Sequence, residues 1–412
     1  MSRINDLISK LCADGVRTVT LGEVVEIANR GVDKVDSPGE REVALLNYMD
    51  VYRNRELSEE LLFARTTASD NQIVECDLRL GDVVVTPTSE TRDDLAHAAV
   101  VVAPIQNTVY SYHVMRLRIL NFNEVNPKFL AYQFRSPQLQ EQIITSSNGI
   151  TRFGLTKPKW KGLKIQLPPL VVQEEIVRIL DTFAELEAEL EAELEARKLQ
   201  LEKYRDEAMS SLDDTNSRQM SLSECAGIFD GTHQTPTYTS EGVKFVSVEN
   251  IDSLSTSTKF VSQADFETLY KTKPQKGDLL MTRIGSVGRC AVIDIDEPLA
   301  YYVSLALIKP QQDLILSSYI KHFLQSHSGR IELDKRTLHH AVPLKINLGD
   351  LGKVLIRVPD LETQARFTNL FDKFEELFHS RAAGLSAELF CRRQQYEHYR
   401  TKLLAFKELE VG

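Results

Sequence analysis

No two cysteines of this 412-residue chain are spaced C-x-x-C; Cys12, Cys76, Cys225, Cys290 and Cys391 are scattered singly. That pattern suggests neither a disulfide framework nor a zinc site, and the thiols are expected to be reduced and mostly buried. Long hydrophobic runs are missing too. The longest, Ala96 to Ile105, falls far short of the ~20 residues that a membrane-spanning helix needs, and the opening MSRINDLISK has no apolar signal core. A cytoplasmic protein with no membrane partner is the expectation. Catalytic motifs are equally absent: no Asn-Pro-Pro-aromatic or Asp-Pro-Pro-aromatic element of an amino-methyltransferase, no G-x-x-x-x-G-K-[ST] phosphate loop, and no H-E-x-x-H. An enzyme in its own right is disfavoured. The isolated Gly285-x-x-Gly288 pair does not make a phosphate cradle. His339 and His340, adjacent and joined by no cysteine or carboxylate pattern, do not make a metal site.

A surplus of positive charge is also lacking, since the net charge is -10. Divided along the chain, the deficit is local: -1 for residues 1–166, -9 for 167–215, +1 for 216–357 and -1 for 358–412. The two larger segments are therefore neutral and free to carry basic faces. Hydrophobic content of 42% and charged content of 26% are those of an ordinary soluble protein, and the length calls for more than one core.

What is present is a duplication. The stretch LPPLVVQEEIVRILDTFAELEAELEAELEARKLQLEKYRDEAMSSL, Leu167 to Leu212, has a second copy from Val358 to Phe406. Pro168, Leu170, Gln173, Asp181 and Phe183 match Pro359, Leu361, Gln364, Asp372 and Phe374 at one offset, and Tyr204-Arg205 matches Tyr399-Arg400 four residues further along. Ile176, Leu180, Phe183, Leu186, Leu190, Leu194, Leu201 and Tyr204 recur at steps of three, four or seven. Phe367, Leu370, Phe374, Leu377, Leu385, Leu389, Tyr396, Tyr399 and Leu403 do the same. Each set predicts a buried stripe on a long helix that begins just after its prolines and pairs with its own copy. Val172 and Val177, beside the first stripe, are expected to stay uncovered by that partner.

The segments before the helices repeat as well. Gly81-Asp82-Val83-Val84-Val85-Thr86 answers to Gly277-Asp278-Leu279-Leu280-Met281-Thr282, and Ala44 to Val51 answers to Lys244 to Ile251. Val83 to Thr86 and Ala98 to Val102 read as strands, Tyr110 to Ile119 as a loosely alternating strand, and Asn126 to Ile144 as a helical segment answering to Ser317 to Leu333. Four segments follow: a domain at 1–166, a helix at 167–215, a domain at 216–357 and a helix at 358–412. Antiparallel pairing of the helices would relate the domains by an approximate two-fold axis, the symmetry of duplex DNA. Because the domains differ in sequence, their half-sites should differ.

The domain-helix-domain-helix order, the run L-P-P-L-x-x-Q-E-E-I-V-x-I-L-D-x-F from Leu167, the Tyr204-Arg205-Asp206 signature and the Ala-Glu-Leu-Glu tetrapeptides at 184 to 195 resemble the DNA-specificity subunit of type I restriction-modification enzymes, over essentially the whole chain. The resemblance implies an α+β protein. Two tandem α/β target recognition domains are separated by two long antiparallel coiled-coil helices with pseudo-two-fold symmetry. It implies that each domain reads one half of an asymmetric, split site in double-stranded DNA. The helices then fix the spacer and dock two methyltransferase subunits, with restriction/translocase subunits in the full complex. No cofactor would belong to this chain; S-adenosylmethionine, ATP and magnesium would sit in the partners. The distal copy departs from the first in having Pro359-Asp360 for Pro168-Pro169, Ala365-Arg366 for Glu174-Glu175 and Thr401 for Asp206.

Reading DNA requires bidentate or small polar side chains on loops beside strands. In the first domain these are Thr86, Thr88, Ser89, Thr91 and Arg92 after the Gly-Asp strand, then Asn148, Thr151, Arg152 and Lys157. In the second they are Arg283, Ser286 and Arg289 at the equivalent place, then Arg336, His339 and His340 late in the domain. Ordinary solvated turns are the competing reading for any one of them. The glutamates at 185, 187, 189, 191, 193 and 195 are most simply a solvated face, the functional alternatives being a phosphate-repelling spacer or a surface that meets basic groups of the methyltransferase. A free-standing DNA-binding regulator and a coiled-coil scaffold with two protein-binding heads are the alternative functions.

Overall fold

The computed structural model describes residues 2–33, 35–61, 63–212 and 217–409, so the expected boundary between 215 and 216 lies outside the described residues. Leu170–Leu212 and Leu361–Leu403 are helices of 43 residues each. Their starts show why the copies differ at the proline pair. Pro169 offers its carbonyl to Val172 and Gln173 in the first helix; Asp360 likewise offers its carbonyl to Gln364 in the second, and adds a carboxylate that accepts from the backbone and hydroxyl of Thr363.

Contacts group the chain into two units, residues 1–190 with 388–412 and residues 191–387, so that each long helix contributes a part to both. In the first unit a five-stranded sheet runs in the order Val25–Ala28, Met115–Ile119, Val83–Val85, Ala98–Val101, Glu56–Leu57, with only the last pair parallel. A three-stranded sheet of Ala64–Ala68, Arg41–Leu46 and Thr108–Tyr110 lies on the second core of that unit. The second unit repeats the plan. Ala226–Asp230, Leu305–Pro310, Leu279–Thr282 and Cys290–Val292 form an antiparallel sheet, and Tyr238–Thr239, Phe260–Val261, Val243–Val246 and Leu299–Tyr301 form another. In both units a first strand pairs with the strand that enters a long helix: Arg17–Thr20 with Lys164–Leu167, and Arg218–Ser221 with Leu355–Val358.

The matching glutamines are the same latch built twice. Gln173 is fully buried, donates to the carbonyls of Pro168 and Glu124 at 2.8 Å each, and accepts from Asn126 N at 2.9 Å. Gln364 is equally buried, donates to Pro359 O and Leu314 O and accepts from Leu316 N. Each therefore satisfies backbone groups that would otherwise be orphaned where helix meets domain.

Within the first unit the start of the first long helix packs beside the end of the second, and Phe183 stacks on Tyr399 with ring centroids 5.3 Å apart. Within the second unit the end of the first helix meets the start of the second, with Met209, Phe367 and Phe371 in one cluster. The helices are thus antiparallel in each unit. The expected stripes are covered only in part. Ile176, Leu180, Phe367, Tyr396 and Leu403 are buried, but Leu186, Tyr204, Leu370, Phe374 and Leu377 are exposed. The face that the second helix buries runs through Gln364, Phe367, Thr368 and Phe371 instead.

Val172 and Val177 are corrected in the other direction: both are buried. The helix Ser2–Leu11, legible only as the absence of a signal core, shares a cluster with them through Ile4, which has no exposed surface. Tyr110 to Ile119 is two strands rather than one, because the chain turns at Ser111–Val114. Asn126 to Ile144 is two helices, Pro127–Gln133 and Pro137–Ser146, because Pro137 cannot continue the first and Ser136 caps the second. The chain end also returns to the first domain. Gln166 and Phe406 exchange two hydrogen bonds, and Val16 bonds to Lys407 and Leu409. Gly15, at φ 106°, leaves room for this, since a Cβ there would lie 2.7 Å from the Glu408 backbone.

Candidate nucleic-acid interface

Each unit carries one stem and two joined loops. The stem is the strand opened by Gly-Asp, where Gly81 (φ 85°) and Gly277 (φ 89°) turn the chain and the following carboxylate is neutralised. Asp82 accepts from Arg118 at 2.7 and 2.9 Å, and Asp278 pairs with Lys309. The stem ends on a threonine. Thr86 exchanges backbone bonds with His97 and Ala96, and its hydroxyl accepts from His97 N at 3.0 Å. Thr282 does the same with Arg289 and Gly288, its hydroxyl accepting from Arg289 N at 3.0 Å. Different loops, 87–96 and 283–288, are thereby mounted on one closure.

In the first unit this loop is tied to the later one. Thr88–Ser89 pairs antiparallel with Phe153–Gly154, and Asn148 and Gly154 exchange bonds of 2.9 and 3.0 Å. The Arg92 guanidinium lies 5.0 Å from the centre of the Phe153 ring. Thr91, Arg92, Asn148, Thr151, Arg152 and Lys157 are exposed there, and Thr88 is half-buried. Thr86 and Ser89 are corrected: both are buried, Thr86 as the closing residue of the stem and Ser89 through a 3.2 Å bond to Asp94. Neither offers a free group.

The second unit joins its loops by another route. Lys345 bridges both Ile284 and Leu338, and Gly285 N donates to Leu344 O at 2.8 Å. Ser286, His339 and His340 are exposed and Arg289 is half-exposed beside Asp252, with which it pairs. Arg283 is corrected. It is buried, bound to Asp230 at 2.8 Å and to the carbonyl of Ile346 at 3.3 Å, and so staples the stem to the later loop. Arg336 is largely folded back on Glu332, and His339 reaches the carbonyl of Asp334 at 3.1 Å. Ser286, Arg289, Lys335 and His339 line a cleft of about 1440 Å³ together with Lys198 and Arg205. His322, Asp372 and Glu375 place three possible metal-binding groups within 4.8 Å, yet Glu375 already pairs with Lys321 and Arg205.

Other cleft residues of the first unit were missed in the sequence. In the first unit a cleft of about 600 Å³ is lined by Tyr52, Arg55, His97, Arg135, Tyr396 and Arg400 among others. His97 packs against Tyr52 with centroids 4.1 Å apart and the rings tilted by 33°, and burial, then the charge of Arg135, holds its pKa below the usual histidine value. Only Arg400 had a signal, as a member of the repeated Tyr-Arg pair. Four of the five cysteines are buried, and only Cys391 is exposed. Among the described residues no helix is long and apolar enough to cross a membrane.

Residues 13–196 match the family model of the type I restriction modification DNA specificity domain. The chain is 30% identical over 275 residues to a type I restriction enzyme specificity subunit of Haemophilus influenzae, covering 63% of this chain and 68% of that one. It is 28% identical over 254 residues to a type I restriction enzyme specificity subunit of Escherichia coli, covering 59% of this chain and 61% of the relative. A solved structure described as showing complex assembly and conformational transition of a type I restriction-modification system is similar at a TM-score of 0.57. Its identity is 19%, with 95% of this chain and 97% of that one covered, a likeness of fold.

Proposed function

The chain belongs to the family of type I restriction-modification DNA specificity subunits, and from that premise we propose that its two joined-loop surfaces each read one half of a split, asymmetric DNA site. One observation carries the reading: the same stem, closed by Thr86 or Thr282, presents unlike polar loops in the two units. Thr91, Arg92, Asn148, Thr151, Arg152 and Lys157 serve one half-site; Ser286, Arg289, His339 and His340 serve the other. Arginine and asparagine supply bidentate groups for base edges, and lysine supplies charge for phosphates. Thr86, Ser89 and Arg283 support the loops from inside.

The chain itself is the non-catalytic part of the complex. Methylation and ATP-driven cleavage, with S-adenosylmethionine, ATP and magnesium, belong to two methyltransferase subunits and the restriction/translocase subunits docked on it. The exposed run Leu370, Phe374 and Leu377, on one face of the second helix, supports docking there. The Ala-Glu-Leu-Glu run acts as a ruler, each added unit lengthening the helix by roughly 6 Å, or one to two base pairs of spacer.

The test is a map of adenine methylation in cells carrying the complex with residues 1–160 exchanged for those of a relative. One half of the split motif should change and the other persist. A change in both halves, or a contiguous motif, would sink the proposal. Insertion of one tetrapeptide should lengthen only the spacer.

A further inference from the structure

The duplication allows the two helix-domain junctions to be read against each other residue by residue. Arg400 occupies the place of Arg205, Arg135 that of Gln325, Tyr132 that of His322, Asp181 that of Asp372 and Ala184 that of Glu375. The capping serines Ser136 and Ser326 fix the register of the short helices, and the latch glutamines fix that of the long ones. Structure confirms the pairing, because Tyr132 donates to Asp181 at 2.6 Å where His322 meets Asp372 at 2.9 Å.

In the second unit the arginine finds an acceptor and a carboxylate within the chain. Arg205 donates to Gln325 at 3.3 Å and pairs with Glu375 at 3.7 Å, and Glu375 also holds Lys321. In the first unit both partners have been exchanged. Arg135 replaces the glutamine acceptor and Ala184 replaces the carboxylate, so two guanidinium groups share one cleft. Most carboxylates nearby are committed. Glu397 pairs with Arg400, Asp181 and Glu56 with Lys128, and Glu187 with Arg55 and Arg393, while Asp94 is hydrogen-bonded to the neutral imidazole of His97. Asp93 is exposed among the lining residues and makes no ion pair among the described residues. Arg135 has His97 as its hydrogen-bond partner and, among the described residues, no carboxylate within ion-pair distance. Burial, and after it the charge on Arg400, weakens Arg135's hold on its proton.

We propose that the cleft between Arg135 and Arg400 receives a carboxylate from a bound polypeptide, an Asp or Glu side chain or a chain end, in the place that Glu375 fills internally in the second unit. A carboxylate is the group the fold already uses at the twin position. The recess suits a slender side chain better than a duplex backbone, because Arg400 retains only 17% of its side-chain exposure. Tyr52, which is exposed, and Tyr396, which is buried beneath Arg400, line the cleft with rings and hydroxyls suited to the stem and head of such a residue. The inference rests on the reading of the chain as a docking subunit, but its first test does not.

The test converts the first junction into the second with the double variant A184E/R135Q, and with R135Q alone. Melting of the full chain is followed as potassium acetate replaces potassium chloride at constant ionic strength. Wild type should gain several degrees in acetate. R135Q should lose that gain, and A184E/R135Q should melt higher in chloride and ignore acetate. Affinity for the methyltransferase subunit should then fall about tenfold or more in A184E/R135Q, the loss of one charge-assisted contact. An acetate response identical in all three proteins would overturn the proposal, as would unaltered methyltransferase affinity. Weakened DNA binding with intact methyltransferase binding would overturn it too, by making a DNA phosphate the occupant. A failed half-site swap beside a retained acetate effect would count against the function and leave this cleft standing.

Discussion

The two helix-domain junctions descend from one plan and settle their charge in opposite ways. Around Arg205 the second unit supplies Gln325, Glu375 and, on the other side of the carboxylate, Lys321. Around Arg400 the first unit puts Arg135 and Ala184 in the places of Gln325 and Glu375, and leaves Arg400 only Glu397 of its own helix as a carboxylate. What has stayed alike is what completes backbone hydrogen bonding: the latch glutamines, the stem-closing threonines, the Gly-Asp turns and the capping serines. What has diverged is what faces a cleft or solvent. An orphaned backbone group costs the same in either unit, whereas a side-chain charge can be exchanged for a ligand.

The sharpest way to break that comparison is Glu375→Ala. It leaves Arg205, 7% exposed, and Lys321 without their carboxylate, and should cost the second unit about 3–5 kcal/mol in urea unfolding. Survival of that unit within about 1 kcal/mol would mean that Gln325 alone suffices and that the junctions are not opposites.

Next come the latches, where the two units should agree. Gln173→Leu and Gln364→Leu each strand three backbone partners, one of them buried, and should each cost about 2–3 kcal/mol. A clear loss at one site only would show that the repeated glutamine does unequal work. Covered and bare helix faces give a similar contrast. Ile4→Ala should destabilise the first unit by about 2–4 kcal/mol, while Leu370→Ala, at 51% exposure, should stay within about 0.5 kcal/mol. The second variant should instead lower recovery of methyltransferase in co-purification.

The smallest effect is a pH response confined to the first unit. His97 is held neutral by burial and by Arg135, so its folded pKa lies below that of the unfolded chain. As pH falls, the unfolded state takes up the proton first. Stability should decline from about pH 6.5 downward and level off once the folded group has also titrated. His97→Asn should flatten that part of the profile, and an unchanged slope would assign it to other groups.

The extent of each long helix was legible because prolines and periodic leucines are local signals, and the duplication was legible because both copies kept Pro, Gln, Asp and Tyr-Arg. The candidate loops were found by position, yet three of their members proved internal. Thr86, Ser89 and Arg283 look like surface residues in a polar stretch, and nothing local reveals that Asp94, Asp230 or Ile346 stands behind them. The stripes were overread for the same reason. Spacing says that Leu370, Phe374 and Leu377 share a helix face with Phe367, but not that Phe371 turns the buried side elsewhere.

By itself the sequence determined the repeat, the element order, the helix starts and the family, all of which rest on neighbours in the chain or on matching positions. Tertiary structure alone decided which polar residues are free, that Ser2–Leu11 covers the face holding Val172 and Val177, and that Gln166 ties down Phe406 across 240 residues. It also decided that Arg135 faces Arg400. Burial and charge pairing depend on groups brought together from distant parts of the chain, and a one-dimensional pattern carries no record of which group arrives opposite which.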